Sequence, residues 1–313
     1  MPDRKLDIAF WNYDRTRLLA DRTVKIEGVD AAFHSARIVP KIFKAMIQDR
    51  AYDVSELGMT YFLRLFSDDD PPFLALPVFL VRCFRHSAIY INKKKGIRRP
   101  QDLTGKRIGE LGLYGHDAGV MPKGVLSDEY GVTPDQCRWI VGRIDFPMEP
   151  VDFVPRPHPA NVEVEWADED ADLGEMLERG EIDALISADS PRCVLEGSPN
   201  VGRLFEDYVA VERDYFRRTG IFPIMHAVVV RRAGPRADGA GLVALRREGQ
   251  PRSRGCSAAV SPRARPDQST PDVRRHLRPF TSGHLNRPIG KLNPMRTIAR
   301  LRTHARNVWE STA

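Results

Sequence analysis

Asp53–Phe66, DVSELGMTYFLRLF, passes from a short strand (Asp53–Leu57) straight into a helix (Met59–Phe66), and the same alternation recurs on either side of it. Upstream, Leu6–Trp11 (LDIAFW) alternates apolar and polar residues and runs into the polar loop Asn12-Tyr13-Asp14, the pattern of a half-buried strand. Ile38–Arg50 (IVPKIFKAMIQDR) spaces its apolar groups as a helix does. Downstream, Phe73–Phe79 reads as a proline-punctuated strand, His86–Asn92 (HSAIYIN) as another, and Lys93–Pro100 as a polar link. A second run follows. Leu103–Gly109 reads as a turn and a strand. Asp117–Tyr130 reads as a helix whose regular part Pro122 confines to its later residues. Arg138–Val141 is a strand, Asp172–Arg179 an amphipathic helix stopped by Gly180, Ile182–Ser187 a buried strand, Tyr208–Arg218 a helix, and Phe222–Arg231 a last strong strand. Strands alternating with helices imply an α/β fold with mostly parallel pairing. No internal repeat is present.

The charge is unevenly placed. Residues 1–232 carry 32 Lys and Arg against 37 Asp and Glu, a net −5, whereas residues 233–313 carry 16 against 5, a net +11. The body is therefore mildly acidic and the overall +6 belongs to the end of the chain, so a nucleic-acid reading would have to rest on that tail alone. After Arg232 the composition turns abruptly to Arg, Pro, Ser, Gly and Ala, with Phe280 and Trp309 as its two aromatics. That segment reads either as an irregular, disordered basic tail or as the product of a frameshift. Cys83, Cys137, Cys193 and Cys256 are widely spaced and form no CxxC pair, so neither a zinc site nor a disulfide framework is expected. The acidic runs Asp68–Asp70 and Asp168–Asp170 read as solvated loops rather than metal sites. No apolar run is long enough to span a bilayer. The N-terminus enters a strand without a signal-like apolar segment, and this implies a cytoplasmic protein.

The most specific stretch is Leu76–Asn92, LPVFLVRCFRHSAIYIN, a proline-containing strand, then Arg-x-Phe-Arg-His-Ser, then a strand ending in Asn. It occurs in order with Val54-Ser55-Glu56-Leu57 and Tyr61, with Gly105-Lys106-Arg107-Ile108-Gly109 and Asp128-Glu129-Tyr130-Gly131-Val132, and with Phe222-Pro223-Ile224-Met225-His226. Over roughly residues 1–232 this set resembles the 4,5-dihydroxyphthalate decarboxylase family. The resemblance implies the type II periplasmic-binding architecture, two α/β lobes with a ligand cleft between them. Lobe 1 would take residues 1–95 and lobe 2 residues 96–219. The chain would cross between them near Asn92–Pro100 and return through 220–232, leaving 233–313 as the atypical tail. The segment Glu110–Gly124 departs from the family pattern, with Lys123-Gly124 standing where the family has Arg-Gly.

The implied reaction is cofactor-independent decarboxylation of a hydroxylated aromatic acid. Such a reaction needs a proton donor that titrates near neutrality, which favours histidine. It also needs cations for the carboxylates, and the planar fork of Arg suits them. His86 and His226 are the candidate donors, and Glu56 would accept a phenol proton or hold a histidine. Arg82 and Arg85 are candidate carboxylate clamps, and Ser55, Ser87, Tyr61, Tyr114 and His116 are candidate substrate contacts. Each has a plainer reading: a histidine beside a strand is often a structural hydrogen-bonder, and Arg82 could lie along a strand edge. Phe10 and Trp11 either pack in the core, the favoured reading, or wall the cleft. The expected partner is a small aromatic carboxylate, with no nucleic acid, membrane, cofactor or metal, and homo-oligomerisation is left open. The same cleft would also serve a solute-binding protein of an ABC-type uptake system, and a frame-shifted chain would be an inactive relative.

Overall fold

The computed structural model describes residues 4–66, 71–148 and 151–232. The acidic run Asp68–Asp70 and the basic tail 233–313, expected to be irregular or frame-shifted, lie outside the described residues.

In chain order the first strands and helices are β1 (Arg4–Ala9), α1 (Arg17–Ala20), β2 (Val29–His34), α2 (Val39–Lys44), β3 (Val54–Gly58), α3 (Met59–Leu65), β4 (Phe73–Ala75) and β5 (Val81–Arg82). There follow β6 (Ile89–Asn92), β7 (Arg107–Leu111), α4 (Asp117–Tyr130), β8 (Arg138–Gly142), β9 (Glu163–Trp166), α5 (Leu173–Arg179), β10 (Ala184–Ile186), α6 (Arg192–Leu195), β11 (Val201–Arg203), α7 (Tyr208–Thr219) and β12 (Ile224–Arg231). They build two six-stranded sheets. One has the order β2-β1-β3-β12-β4, with β5 also paired to β12; the other runs β11-β6-β10-β7-β8-β9. The expected mixed α/β, two-lobed architecture is what the chain adopts.

The expectation of mostly parallel pairing needs correction: among the described residues β1 pairs parallel with β2 and β3, β7 with β8 and β10, and β8 with β9, but β6 and β12, the strands at which the chain changes sheets, run antiparallel to every neighbour. β12, the last described strand, inserts antiparallel between β3 and β4, opposing Val228 to Glu56 and His226 to Gly58. β6 pairs antiparallel with β10 and β11 in the second sheet. The chain has therefore changed sheets by Ile89, earlier than the 92–100 segment expected, because the hydrogen bonds of β6 go to β10 and β11. Among the described residues only β12 carries it back.

Two local expectations need correction. The helix at α4 begins at Asp117 and runs through Pro122 without a break. Proline removes one backbone donor, but Ala118, Pro122, Val125 and Leu126 are buried along this helix, and their packing outweighs one lost bond. The strand expected over Phe73–Phe79 stops at Ala75, where Pro77 cannot donate to a ladder.

Cores form as the periodicity requires. In the first lobe Phe43, Met46, Leu57, Tyr61, Phe73 and Val229 pack together, with Met46, Leu57 and Val229 wholly inaccessible. Full burial of one such side chain is worth roughly 1.5–3 kcal/mol. In the second lobe two clusters, centred on Trp139 and Leu103 and on Leu173 and Leu185, lie among the residues of β6, β7, β8 and β10 and the helices. No helix among the described residues is long and apolar enough to cross a membrane.

Candidate active site at the lobe junction

The carboxylate of Glu56 is completely buried in the middle of β3. A buried charge needs hydrogen-bond partners to persist, and Glu56 has three. Its Oε2 accepts from the backbone N–H of Trp11 at 2.9 Å. Its Oε1 accepts from the hydroxyl of Tyr13 at 2.5 Å and meets Nδ1 of His226 at 2.7 Å. A carboxylate offers acceptors only, so Nδ1 of His226 carries the proton. The sheet register explains the meeting. Glu56 and Gly58 project from one face of β3, and their partners Val228 and His226 lie on the same face of β12, which sets Glu56 and His226 diagonally adjacent. Phe43 packs edge-on against the imidazole at 5.1 Å between centroids. Among the described residues Nε2 of His226 makes no hydrogen bond.

This pair sits where the lobes touch. Gly58, opposite His226, lies against the Asp117 carboxylate of α4, and any side chain at position 58 would overlap it. Asp117 Oδ1 in turn accepts from the backbone N–H of Thr60 at 2.7 Å. The Cys83 thiol, just after β5, is pushed up by burial. The phenol of Tyr13 is driven far above its ordinary range by burial first and by the charge of Glu56 next, so Tyr13 remains an O–H donor at every working pH.

Of the residues singled out from sequence, Glu56 and His226 come together. Nε of Arg85 rests on Sδ of Met225 at 3.3 Å. The others lie elsewhere. Ser55 points to the opposite face and donates to the carbonyl of Glu56. Arg82 is exposed, donating to the Phe222 carbonyl and lying over that ring at 4.4 Å. The backbone N–H of Ser87 donates to Glu212 at 3.3 Å. His86 is 2% exposed and packed against Phe205 and Tyr215; desolvation lowers its pKa to about 4. Tyr61 donates to the carbonyl of Val151 and stacks on Phe153, joining the lobes.

Tyr114 and His116 border a buried ion pair between Glu110 and Lys123. The Lys123 ammonium lies 3.8 Å from the centre of the Tyr114 ring. Burial raises the Glu110 carboxyl, but Lys123 and His116 outweigh it and hold the group below its usual range. Tyr114 also lines a cavity of about 210 Å³ with Arg64, Arg156, His158 and Trp166.

Sequence reading missed Tyr13, Asp117 and Thr60, and it placed Trp11 in the core, whereas Trp11 is 39% exposed and edge-on to Tyr13. Their one legible signal was position: Trp11 and Tyr13 follow the carboxyl end of β1, next to β3, where open α/β sheets collect functional groups. Among the described residues no three His, Cys, Asp or Glu side chains are grouped to hold a metal ion.

No family model matches the chain. It is 35% identical over 232 residues to the 4,5-dihydroxyphthalate decarboxylase of Comamonas testosteroni, covering 74% of this chain and 69% of that one. It is 34% identical over 212 residues to the 4,5-dihydroxyphthalate decarboxylase of Pseudomonas putida, covering 68% and 81%. Among solved structures it is similar to the alkanesulfonate-binding protein SsuA from Xanthomonas axonopodis pv. citri, with a TM-score of 0.41, 14% identity and coverage of 74% and 67%. It is also similar to the periplasmic aliphatic sulphonate-binding protein SsuA from Escherichia coli, with a TM-score of 0.42, 11% identity and coverage of 73% and 65%. At that level of identity to two curated enzymes, over more than two thirds of each, the chain belongs to the 4,5-dihydroxyphthalate decarboxylase family.

Proposed function

We propose that the protein decarboxylates a hydroxylated aromatic acid, 4,5-dihydroxyphthalate being the first candidate, to protocatechuate and carbon dioxide. The observation that carries the proposal is the Glu56–His226 pair, with Nδ1 bound to a buried carboxylate and Nε2 uncommitted at the lobe junction. The family membership supports the substrate class. The proposal takes with it the expected cytoplasmic location and a small aromatic carboxylate as partner.

In this mechanism a hydroxyl para to the departing carboxylate pushes electron density into the ring. The protonated imidazole of His226 gives the proton on Nε2 to the ring carbon that bears the carboxylate. The C–C bond then breaks, its electron pair restores the aromatic ring, and CO2 leaves. The proton delivered by His226 takes the place of the carboxylate, so one proton is consumed per turnover. Glu56 holds the imidazole by Nδ1 throughout and stabilises its cationic form, the role a buried carboxylate plays beside a general acid. Arg85, on the segment leading to β6, supplies positive charge for a substrate carboxylate. His86, neutral at pH 7 with its pKa near 4, serves the packing around Phe205 and Tyr215 instead.

The test is protocatechuate formation from 4,5-dihydroxyphthalate by the purified protein, followed by chromatography. Turnover is expected, and His226→Ala is expected to lower kcat by about two to four orders of magnitude while leaving the melting transition in place. A wild-type protein that melts cooperatively but yields no protocatechuate would refute this substrate. A His226→Ala variant at near-normal rate would refute the role of His226.

A further inference from the structure

We propose that Tyr13 is a positioning residue of this site, sharing one oxygen of Glu56 with His226 and so setting how tightly the imidazole is held. The inference rests on the decarboxylase reading for its consequence in turnover, but its structural content stands separately.

Oε2 of Glu56 is taken by the Trp11 N–H. Oε1 receives both the Tyr13 hydroxyl, at 2.5 Å, and the Nδ1 proton of His226, at 2.7 Å. Two donors on one oxygen compete for the same negative charge: each weakens the hold of the other. The phenol is a permanent competitor, because burial and the charge of Glu56 keep it protonated.

Tyr13 is itself fixed in place. The Arg15 guanidinium lies over its ring at 3.9 Å and donates to the carbonyl of Leu80, while Trp11 packs edge-on against the ring at 5.2 Å. An ornamental surface tyrosine would have no such clamp. The clamp ties the loop after β1 to the segment before β5, and both flank β12 or its neighbours. One other charge near His226 comes from a different element, the Asp117 carboxylate of α4 behind Gly58; Arg85 is held on Sδ of Met225. Neither of these bonds Oε1, so the phenol is the group that divides this oxygen with the imidazole.

Removing the hydroxyl leaves the Nδ1–H of His226 as sole donor to Oε1. The Nδ1–H···Oε1 bond then strengthens, and the imidazolium becomes more reluctant to part with the proton on Nε2. A structural role alone would predict a lower melting point and nothing at Nδ1.

The experiment is Tyr13→Phe, read in protein labelled with ¹⁵N in the histidine rings. The Nδ1 proton of His226, assigned by its loss in His226→Asn, is expected to move further downfield in Y13F. The value of kcat for 4,5-dihydroxyphthalate is expected to fall about tenfold, the upper end of what a typical net hydrogen bond is worth, with KM within about twofold. An unmoved resonance overturns the proposal whatever happens to the rate. If the wild type shows no turnover, a moved resonance still supports Tyr13 as the partner in competition, and the failure belongs to the substrate assignment. Should Y13F fail to fold, 3-fluorotyrosine at position 13 keeps the ring and changes the acidity of the hydroxyl; it too has to shift the resonance, and no shift overturns the proposal.

Discussion

His86 and His226 are a pair of histidines that one sequence motif each brought forward and that the fold sent to different tasks. His86 lies between Phe205 and Tyr215, 2% exposed, and among the described residues its Nδ1 finds no hydrogen-bond partner, a carboxylate oxygen of Glu212 lying 4.0 Å away. Burial lowers its pKa from 6.5 to about 4. A base with a depressed folded pKa is protonated first in the unfolded chain, so the unfolded state gains stability as pH falls from about 6.5 towards 4. The native protein is therefore expected to lose about 2 kcal/mol on going from pH 7 to pH 5 through this residue alone, measured by urea unfolding. His86→Leu is expected to remove that part of the slope. Identical pH dependence in the two proteins would show that His86 does not titrate in this way. Both histidines flank predicted strands, and a linear motif cannot report which ring is walled in by aromatics. Three-dimensional packing makes that distinction, just as it finds Tyr13, whose partner Glu56 is 43 residues away.

At the scale of elements, α4 shows how a helix can be placed by a single missing side chain. Gly119 faces the Glu110 carboxylate of β7 so closely that an added methyl would overlap Oε1. Glu110 and Lys123 are both fully buried and bonded to each other. Gly119→Ala brings two opposed effects. The helix gains about 1 kcal/mol of propensity, whereas displacing one member of a buried ion pair costs roughly 3–5 kcal/mol. The second wins, and a fall in unfolding free energy of about 2–4 kcal/mol is expected in a chemical denaturation series. A variant as stable as the wild type, or more so, would mean that Glu110 is free to move. The strand and helix identities around this site were largely readable: the periodicity of Asp53–Phe66 yields β3 and α3, and Tyr208–Arg218 yields α7. Short edge strands such as β2, β9 and β11 were not, because two of the three have mixed, half-exposed patterns and the third is only three residues long.

Across the whole molecule the two lobes are joined through one face of α3. The backbone N–H of Thr60 donates to Asp117, the Tyr61 hydroxyl to the carbonyl of Val151, and Arg64 to the carbonyls of Tyr114, Gly115 and Val154. Arg64→Met is expected to loosen this junction, seen as a larger radius of gyration in small-angle scattering. Turnover should fall by tenfold or more, since a shift of about 1 Å at a reacting centre costs on the order of 10²-fold. An unchanged radius and rate would show that the remaining contacts suffice. The sequence by itself determined the α/β class, the two runs of alternating strands and helices, the return strand at Phe222–Arg231 and the family, because each is written in local periodicity and contiguous motifs. Only the tertiary structure decided that β6 joins the second sheet, that His226 rather than His86 meets Glu56, and that Tyr13 and Asp117 complete the junction. The physical reason is the antiparallel insertion of β12 beside β3: a register between residues 170 positions apart leaves no trace in the neighbours of either.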